Sequence, residues 1–495
     1  MSELKKKGLK AFVWDFGGKL ANQGVGFVIS IFLARLLEPE EFGLLAMVNV
    51  VVGLSGVFMD VGLGGALVQR KRVLPVHYSS VFFFNLTLGL LLTGTLFFSA
   101  DYVAGFYERP ALKAITQVMA FAFLLNAFGA VQATHLRREL RYNAIVKAGV
   151  IAGTLSGALG VFLAFEGYGV WALVTQNLSG ALLRVLLIWF FSQWTPKILF
   201  SFKALRQLWG FGFRMFLSGL LDAFFTRLDV MIIGKIFSPG ILGYFQRAKG
   251  LDGMVVQYSS GSLMSVLFPV LSKLQNDLRQ FRQVVFRSYH MLAYVVFLLL
   301  GGVYLVSEDL IVLLFTEKWM PSVPIFRILV LSGFVYPFSA LLVNVLSGRG
   351  NSRDFLRLEV IKKVVMGINL LVGFYFGLEG YLYGLVLVGL NAVCWNTWFA
   401  SREMGQCFQY LLRLPLPYLL LSLATVPPLR WLAEYWPTID ALDRAMRLVG
   451  IGLAYLIVYE AGAFALRLEG ERLLRTQLGR FVPVLSPYLG GETRV

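Results

Sequence analysis

The chain has 495 residues, 57% of them apolar or aromatic and only 15% charged, with 50 Gly and 13 Met. A soluble domain carries about 25% charge, so a water-soluble globule is excluded; at about 20 apolar residues per span the chain has room for roughly 14 crossings of a bilayer. The net charge of +17 would mark a nucleic-acid binder only if Lys and Arg crowded one exposed face.

The first apolar stretch follows Lys5-Lys6-Lys7-Gly8-Leu9-Lys10. No small-residue cleavage site lies where a signal peptide would end, so a retained membrane helix is expected. Apolar stretches then fall at 11–36, 41–66, 77–99, 112–134, 143–165, 168–191, 208–236 and 240–270. Others lie at 288–306, 324–346, 358–377, 380–400, 415–433 and 446–466, which makes fourteen expected spans. Several are interrupted by Gly or polar residues, as membrane helices tolerate where neighbours satisfy the backbone.

Lys and Arg resist translocation, so their positions test this count. Of 45 cations, 30 fall in alternate loops and the two termini, 9 in the opposite loops and adjoining helix ends, and 6 inside helices. Both termini are therefore expected in the cytoplasm, and the charge is an orientation signal rather than a nucleic-acid face. The opposite loops are too short for a catalytic domain. No G-x-x-x-x-G-K-[ST] occurs, so no ATP site is visible. Cys394 and Cys407 give neither metal spacing nor a disulfide framework.

The halves echo each other. Arg35-Leu36-Leu37-Glu38-Pro39-Glu40-Glu41-Phe42-Gly43 matches Lys235-Ile236-Phe237-Ser238-Pro239-Gly240-Ile241-Leu242-Gly243, and Trp14-x-Phe16-Gly17 matches Trp209-x-Phe211-Gly212. Glu166-Gly167-Tyr168 matches Glu379-Gly380-Tyr381 in the same order. Six spans per half, both starting in the cytoplasm, imply parallel repeats related by an axis along the membrane normal.

Ionisable groups at bilayer depth cost at least about 2.5–3.5 kcal/mol and usually face a cavity or a partner. On the first span Asp15, Lys19, Asn22, Gln23 and Ser30 fall within about 100° of arc. On the seventh, Arg214, Ser218, Asp222 and Asp229 share a face, and Lys19 and Arg214 are repeat equivalents. The second span aligns Asn49, Gly53, Gly56 and Asp60; the eighth aligns Gln246, Lys249, Gly250, Gly253, Gln257 and Ser260, with Arg247 at the edge. The functional reading is a wet, electropositive cavity for an anionic group such as a diphosphate. The competing reading is internal ion pairing, Arg214 with Asp222 or Arg227 with Asp229. Arg227 points away from the Asp222 face. His77, His135 and His290 fall at helix ends and form no metal set. Gly62-x-Gly64-Gly65 reads as close packing, and Trp194, Trp319, Tyr435 and Trp436 read as belt residues.

Several segments resemble the polysaccharide-export branch of the MOP flippase superfamily, of the Wzx type that serves colanic and teichuronic acids. They are Phe32-Leu33-Ala34-Arg35-Leu36-Leu37-x-Pro39-Glu40-Glu41-Phe42-Gly43, Asp60-x-Gly62-Leu63-x-x-Ala66-Leu67-Val68-Gln69-Arg70-Lys71 and Gly243-Tyr244-Phe245-Gln246-Arg247-Ala248. Leu267-Phe268-Pro269-x-Leu271-Ser272-x-Leu274-Gln275 and Phe315-x-x-Lys318-Trp319 with Pro321 and Pro324 add to the likeness. The resemblance implies twelve to fourteen helices in two lobes, an alternating-access cycle and cations in a central cavity. It further implies an oligosaccharide repeat unit on a polyprenyl diphosphate as substrate, turned from the cytoplasmic to the outer leaflet.

The expected protein is therefore an all-α polytopic membrane protein of about fourteen transmembrane helices. Its lobes are expected at 1–200 and 201–402, with two extra helices and a cytoplasmic tail at 403–495. Expected substrate contacts are Lys19, Asn22, Gln23, Arg214, Ser218, Gln246, Arg247, Lys249 and Gln257, with Asp222 and Asp229 as ion-coupling candidates. No catalytic residue, metal or cofactor is expected beyond a coupling H+ or Na+. Expected partners are lipid-linked oligosaccharide, membrane lipids and a polysaccharide polymerase with its chain-length machinery, without nucleic acid. The rivals are a multidrug or cation antiporter, whose cavity would be anionic, and a membrane glycosyltransferase or polymerase, which needs a long outer loop or a soluble domain.

Overall fold

The computed structural model describes the backbone of residues 2–59, 62–436 and 440–481. Side chains at 2–13, 15–16, 54–59, 211, 214–215, 218, 257–266, 268, 352 and 477–481 lie outside the description, as does Asp60. Every regular element is helical. Two compact units are formed, Met1–Gln246 and Arg247–Val495. The first holds α1 (Ser2–Leu36), α2 (Pro39–Met59), α3 (Leu63–Gln69), α4 (Pro75–Phe98) and α5 (Ala100–Tyr107). It continues with α6 (Ala111–Arg138), α7 (Tyr142–Phe165), α8 (Val170–Ser192), α9 (Phe202–Ile236) and the start of α10 (Pro239–Lys273). The second holds the rest of α10, α11 (Leu278–Leu305), α12 (Ser307–Phe315), α13 (Ser322–Gly333), α14 (Tyr336–Gly348) and α15 (Ser352–Tyr375). It ends with α16 (Gly377–Met404), α17 (Phe408–Arg413), α18 (Leu416–Glu434), α19 (Ala441–Ala465) and α20 (Glu469–Phe481).

Among the described residues nine helical stretches of 23 to 28 residues are long and apolar enough to cross a membrane. They coincide with nine of the expected spans, and the other five fall on α1, α2, α9, α10 and α15. Among the described residues, length and apolarity establish nine of the fourteen. The second expected span is divided into α2 and α3, with Gly62 in the left-handed region at φ 68°. The tenth is divided into α13 and α14, with a proline in the first turn of α14. The third repeat match is out of structural register. Gly167 takes φ 81° in the turn after α7, and the residue doing so after α15 is Gly377, three positions before Gly380.

Close backbone approach holds the first unit together. A methyl group on Gly43 of α2 would overlap the Pro239 carbonyl of α10, and one on Gly243 would overlap the Pro39 carbonyl. The two repeat motifs thus meet reciprocally, each supplying the glycine that the other's helix start requires. The chain entering α9 is tied to α4, where Ser79 Oγ accepts from Lys197 N at 3.1 Å and Ser80 Oγ from Ser201 N at 2.9 Å. The basic segment after α3 takes part in packing. Arg138 donates to the Leu67 and Lys71 carbonyls and caps α3, while Arg70 Nη2 reaches Gln207 Oε1 on α9 at 2.6 Å. His77 shares that Gln207 oxygen at 3.2 Å.

In the second unit α18 and α19 close on α11. Tyr455 donates to the Phe297 carbonyl at 2.9 Å and lies against Gly301. Trp319 is fully buried, with its ring 6.2 Å from that of Phe315. It is therefore a core residue and not a belt residue, because the turn at Glu317–Trp319 folds the indole inward.

Of the nine cations assigned to the opposite loops and helix ends, at least six meet a carboxylate. Lys113 pairs with Asp101 at 2.8 Å, Lys235 with Glu108 at 2.7 Å and Arg430 with Glu434 at 3.7 Å. The Lys235 ammonium holds the Glu108 carboxyl below its ordinary pKa. Arg327 pairs with Glu308 at 3.6 Å, Arg444 with Glu317 at 3.2 Å and Arg447 with Asp309 through bonds of 2.8 and 2.5 Å. These residues fasten α12 to α19.

Two stability predictions follow from these contacts. Alanine is favoured over glycine by about 1 kcal/mol in a helix, whereas overpacking costs about 1–3 kcal/mol. Gly43→Ala and Gly243→Ala should therefore lower the melting temperature of the purified protein. Gly94→Ala on α4, where an added methyl meets nothing within 4 Å, should not. Removing one partner of a buried ion pair costs about 3–5 kcal/mol, so Arg447→Met should destabilise strongly and Asp309→Leu added to it should recover most of the loss.

Candidate functional site

α1 carries two adjacent stripes. Gly18, Asn22, Val25 and Ile29 lie on α7, where Val146, Gly149, Gly153 and Gly157 receive them. The three glycines, four residues apart, let the helix backbones approach as small residues do in membranes. Asn22 belongs to this seam: its amide donates to the Gly18 carbonyl at 2.8 Å, and its Oδ1 lies where a methyl on Gly149 would sit. Lys19 and Gln23 stand about 60° or more around the axis from that seam, with Lys19 exposed and Gln23 half-buried. The predicted stripe is thus divided between helix packing and an accessible face.

On α9 the backbones of Arg214 and Ser218 are helical, and their side chains lie outside the described residues. Asp222 is exposed, and its carbonyl accepts from Thr226 Oγ1 at 2.6 Å. Asp229, two turns on along the same face, is buried, with Oδ1 accepting from Val230 N at 2.8 Å. α9 therefore sinks into its unit between these two carboxylates. Arg227 faces elsewhere, as its helical angle requires. Its guanidinium lies over Gly53 of α2 and donates to the Asn49 carbonyl at 3.0 Å, so it is bound by backbone and not by Asp229.

Gln246, at the end of the first unit, is half-buried. In the second unit the Arg247 guanidinium stands 4.6 Å from the Phe315 ring centre and 5.0 Å from that of Trp319. Desolvated cation–π contacts of this kind are worth about 2 kcal/mol. The rings hold Arg247 inside its own unit. Lys249 is half-buried, and the Gln257 side chain lies outside the described residues. Sequence reasoning missed Asp252, whose Oδ1 is buried against α13 beside Gly333 and has no hydrogen bond there. Its signal was available as a carboxylate one turn from Lys249.

The histidines are engaged locally. His77 Nδ1 accepts from Leu74 N at 3.1 Å, His135 lies 3.3 Å from Glu139, and His290 lies 3.1 Å from Tyr418 and 3.2 Å from Glu469. Among the described residues no group of three or more His, Cys, Asp or Glu is placed to hold a metal. The cysteines are free and exposed.

Comparison with known proteins places this arrangement in context. The chain is 23% identical over 432 residues to the lipopolysaccharide biosynthesis protein WzxC of Escherichia coli K12, covering 86% of this chain and 87% of that protein. It is 27% identical over 329 residues to the succinoglycan biosynthesis transport protein ExoT of Rhizobium meliloti, covering 66% of each. Its fold is that of the lipid II flippase MurJ in an inward closed conformation, with a TM-score of 0.71 at 14% identity over 92% of this chain and 99% of that one. The polysaccharide biosynthesis protein family model matches residues 32–324, more than half of the sequence, and the chain belongs to that family.

Proposed function

We propose that the protein is a flippase that turns a polyprenyl-diphosphate-linked oligosaccharide repeat unit from the cytoplasmic to the outer leaflet for cell-surface polysaccharide export. The observation that carries this reading is the near end-to-end likeness to WzxC, in a chain whose fold is that of a lipid II flippase. The physical argument agrees with it. A diphosphate needs cations, and Lys19, Arg214 and Lys249 lie on helices whose sequence places them at membrane depth. A glycan needs polar surface, which Gln23, Gln246 and the accessible face of α1 supply in part. The lipid tail needs no protein solvent at all.

The repeat boundaries at 200 and 402, both termini in the cytoplasm and an alternating-access cycle belong to the same proposal. So do coupling to H+ or Na+ through Asp222 or Asp229, and delivery of the glycan to a polymerase with its chain-length machinery. An antiporter for organic cations is disfavoured by the surplus of Lys and Arg on α1, α9 and α10.

Each charge-assisted hydrogen bond to a phosphate is worth about 1.5–3 kcal/mol. Lys19→Ala/Arg214→Ala should therefore slow flipping of a diphosphate-linked glycan in proteoliposomes by about tenfold or more, and an unchanged rate would remove the cation role. Asp229→Asn keeps an oxygen for the Val230 amide. It should retain the fold and lose the rate enhancement given by an imposed ion gradient, and Asp222→Asn is the parallel test.

A further inference from the structure

Inside the first unit, away from the residues discussed above, α3, α4, α6 and α8 line a half-open pocket of about 250 Å³. Small residues open it: Ala130 and Ala133 on α6 and Ala181 on α8 leave the helix surfaces low where larger side chains would fill the space. Its polar lining is Asn85, Asn126, Thr134, Arg137 and Arg184. No Asp or Glu is among the described lining residues, and neither arginine side chain forms a hydrogen bond or ion pair with a described residue. Asn85 is 2% exposed, and its Oδ1 has no hydrogen-bond partner there. The Thr134 hydroxyl is spent on the Ala130 carbonyl at 2.9 Å. Two exposed guanidinium groups and the exposed Asn126 amide therefore line the pocket with no described carboxylate to neutralise the charge, and the Asn85 Oδ1 is an acceptor open to a donor such as a water or a protonated phosphate.

Position fixes the class of ligand. Arg137 is one residue from the end of α6, and Arg184 is eight residues from the end of α8, about 12 Å along the helix. Both ends adjoin basic segments, at Arg137–Arg141 and Lys197–Arg206. Both side chains are exposed at the pocket, so two guanidinium groups stand side by side where an anion can reach them. Guanidinium forks match phosphate oxygens bidentately. The volume admits a phosphate or diphosphate with its waters and lies below the roughly 300–1,000 Å³ of sites that enclose whole organic ligands.

We propose that this cavity is a phosphate-binding site that takes the head of a lipid entering from the leaflet on the Lys/Arg-rich side, with Arg184 and Arg137 as its cations. The phosphate has two possible sources, the diphosphate of a polyprenyl carrier or the phosphodiester of an anionic phospholipid.

The test is lipid binding by native mass spectrometry on the full chain, in a Lys19→Ala/Arg214→Ala/Lys249→Ala background so that those cations contribute nothing. Polyprenyl diphosphate and phosphatidylglycerol are the probes, and polyprenol and phosphatidylcholine are the references. Arg137→Gln/Arg184→Gln should weaken binding of at least one probe by tenfold or more and leave the references unchanged. Arg184→Lys should give a smaller loss. Ala133→Leu, which fills the cavity and keeps both arginines, should reproduce the loss even if the double arginine variant fails to fold. Loss confined to polyprenyl diphosphate identifies the carrier as the ligand; loss of phosphatidylglycerol binding, with displacement of one probe by the other, identifies a general phosphate-lipid site. Undiminished binding of both probes by folded Arg137→Gln/Arg184→Gln, or by folded Ala133→Leu, overturns the proposal. Binding is read without transport, so failure of the flippase reading leaves this result standing.

Discussion

Placing an ionised side chain in hydrocarbon is expensive, and that single cost orders the charges of this protein. Cations that end opposite the basic loops are neutralised, Lys113 by Asp101, Lys235 by Glu108 and Arg447 by Asp309. Cations within helices are held by other means. Arg227 is satisfied by the Asn49 carbonyl and Arg247 by the faces of Phe315 and Trp319. Arg137 and Arg184, which bond to no described carboxylate or carbonyl, line a pocket.

Glycine supplies the complementary constraint, since charge cannot be arranged unless helices come close. The seam of α1 on α7 depends on Gly149, Gly153 and Gly157, and the meeting of α2 with the start of α10 depends on Gly43 and Gly243. This second contact joins the two copies of a repeated motif at the same relative position in each. The ion pairs of α12 with α19, and the tyrosines that α18 and α19 lay on α11, serve the second unit in the same way.

A carrier of lipid-linked glycans has to hold a diphosphate without trapping it. In the proposed role, exposed Lys19 and half-buried Lys249 would keep part of their hydration and hold a phosphate with moderate strength.

The sequence by itself determined the helical class, the membrane setting and which residues carry charge within helices, because apolar length and residue order are written in one dimension. It also placed Arg227 off the Asp222 face, since helical angle follows from residue number. Only the tertiary structure decided what each face meets. Asn22 shares an arc with Lys19, yet it falls on the α7 seam; Trp319 has a belt residue's composition, yet it is buried by the turn that contains it. Asp252 and Arg184 gain their surroundings only when neighbouring helices are present. The physical reason is that periodicity gives a side chain's direction about its own axis, whereas the partner in that direction is set by which ridges and small residues of another helix fit there.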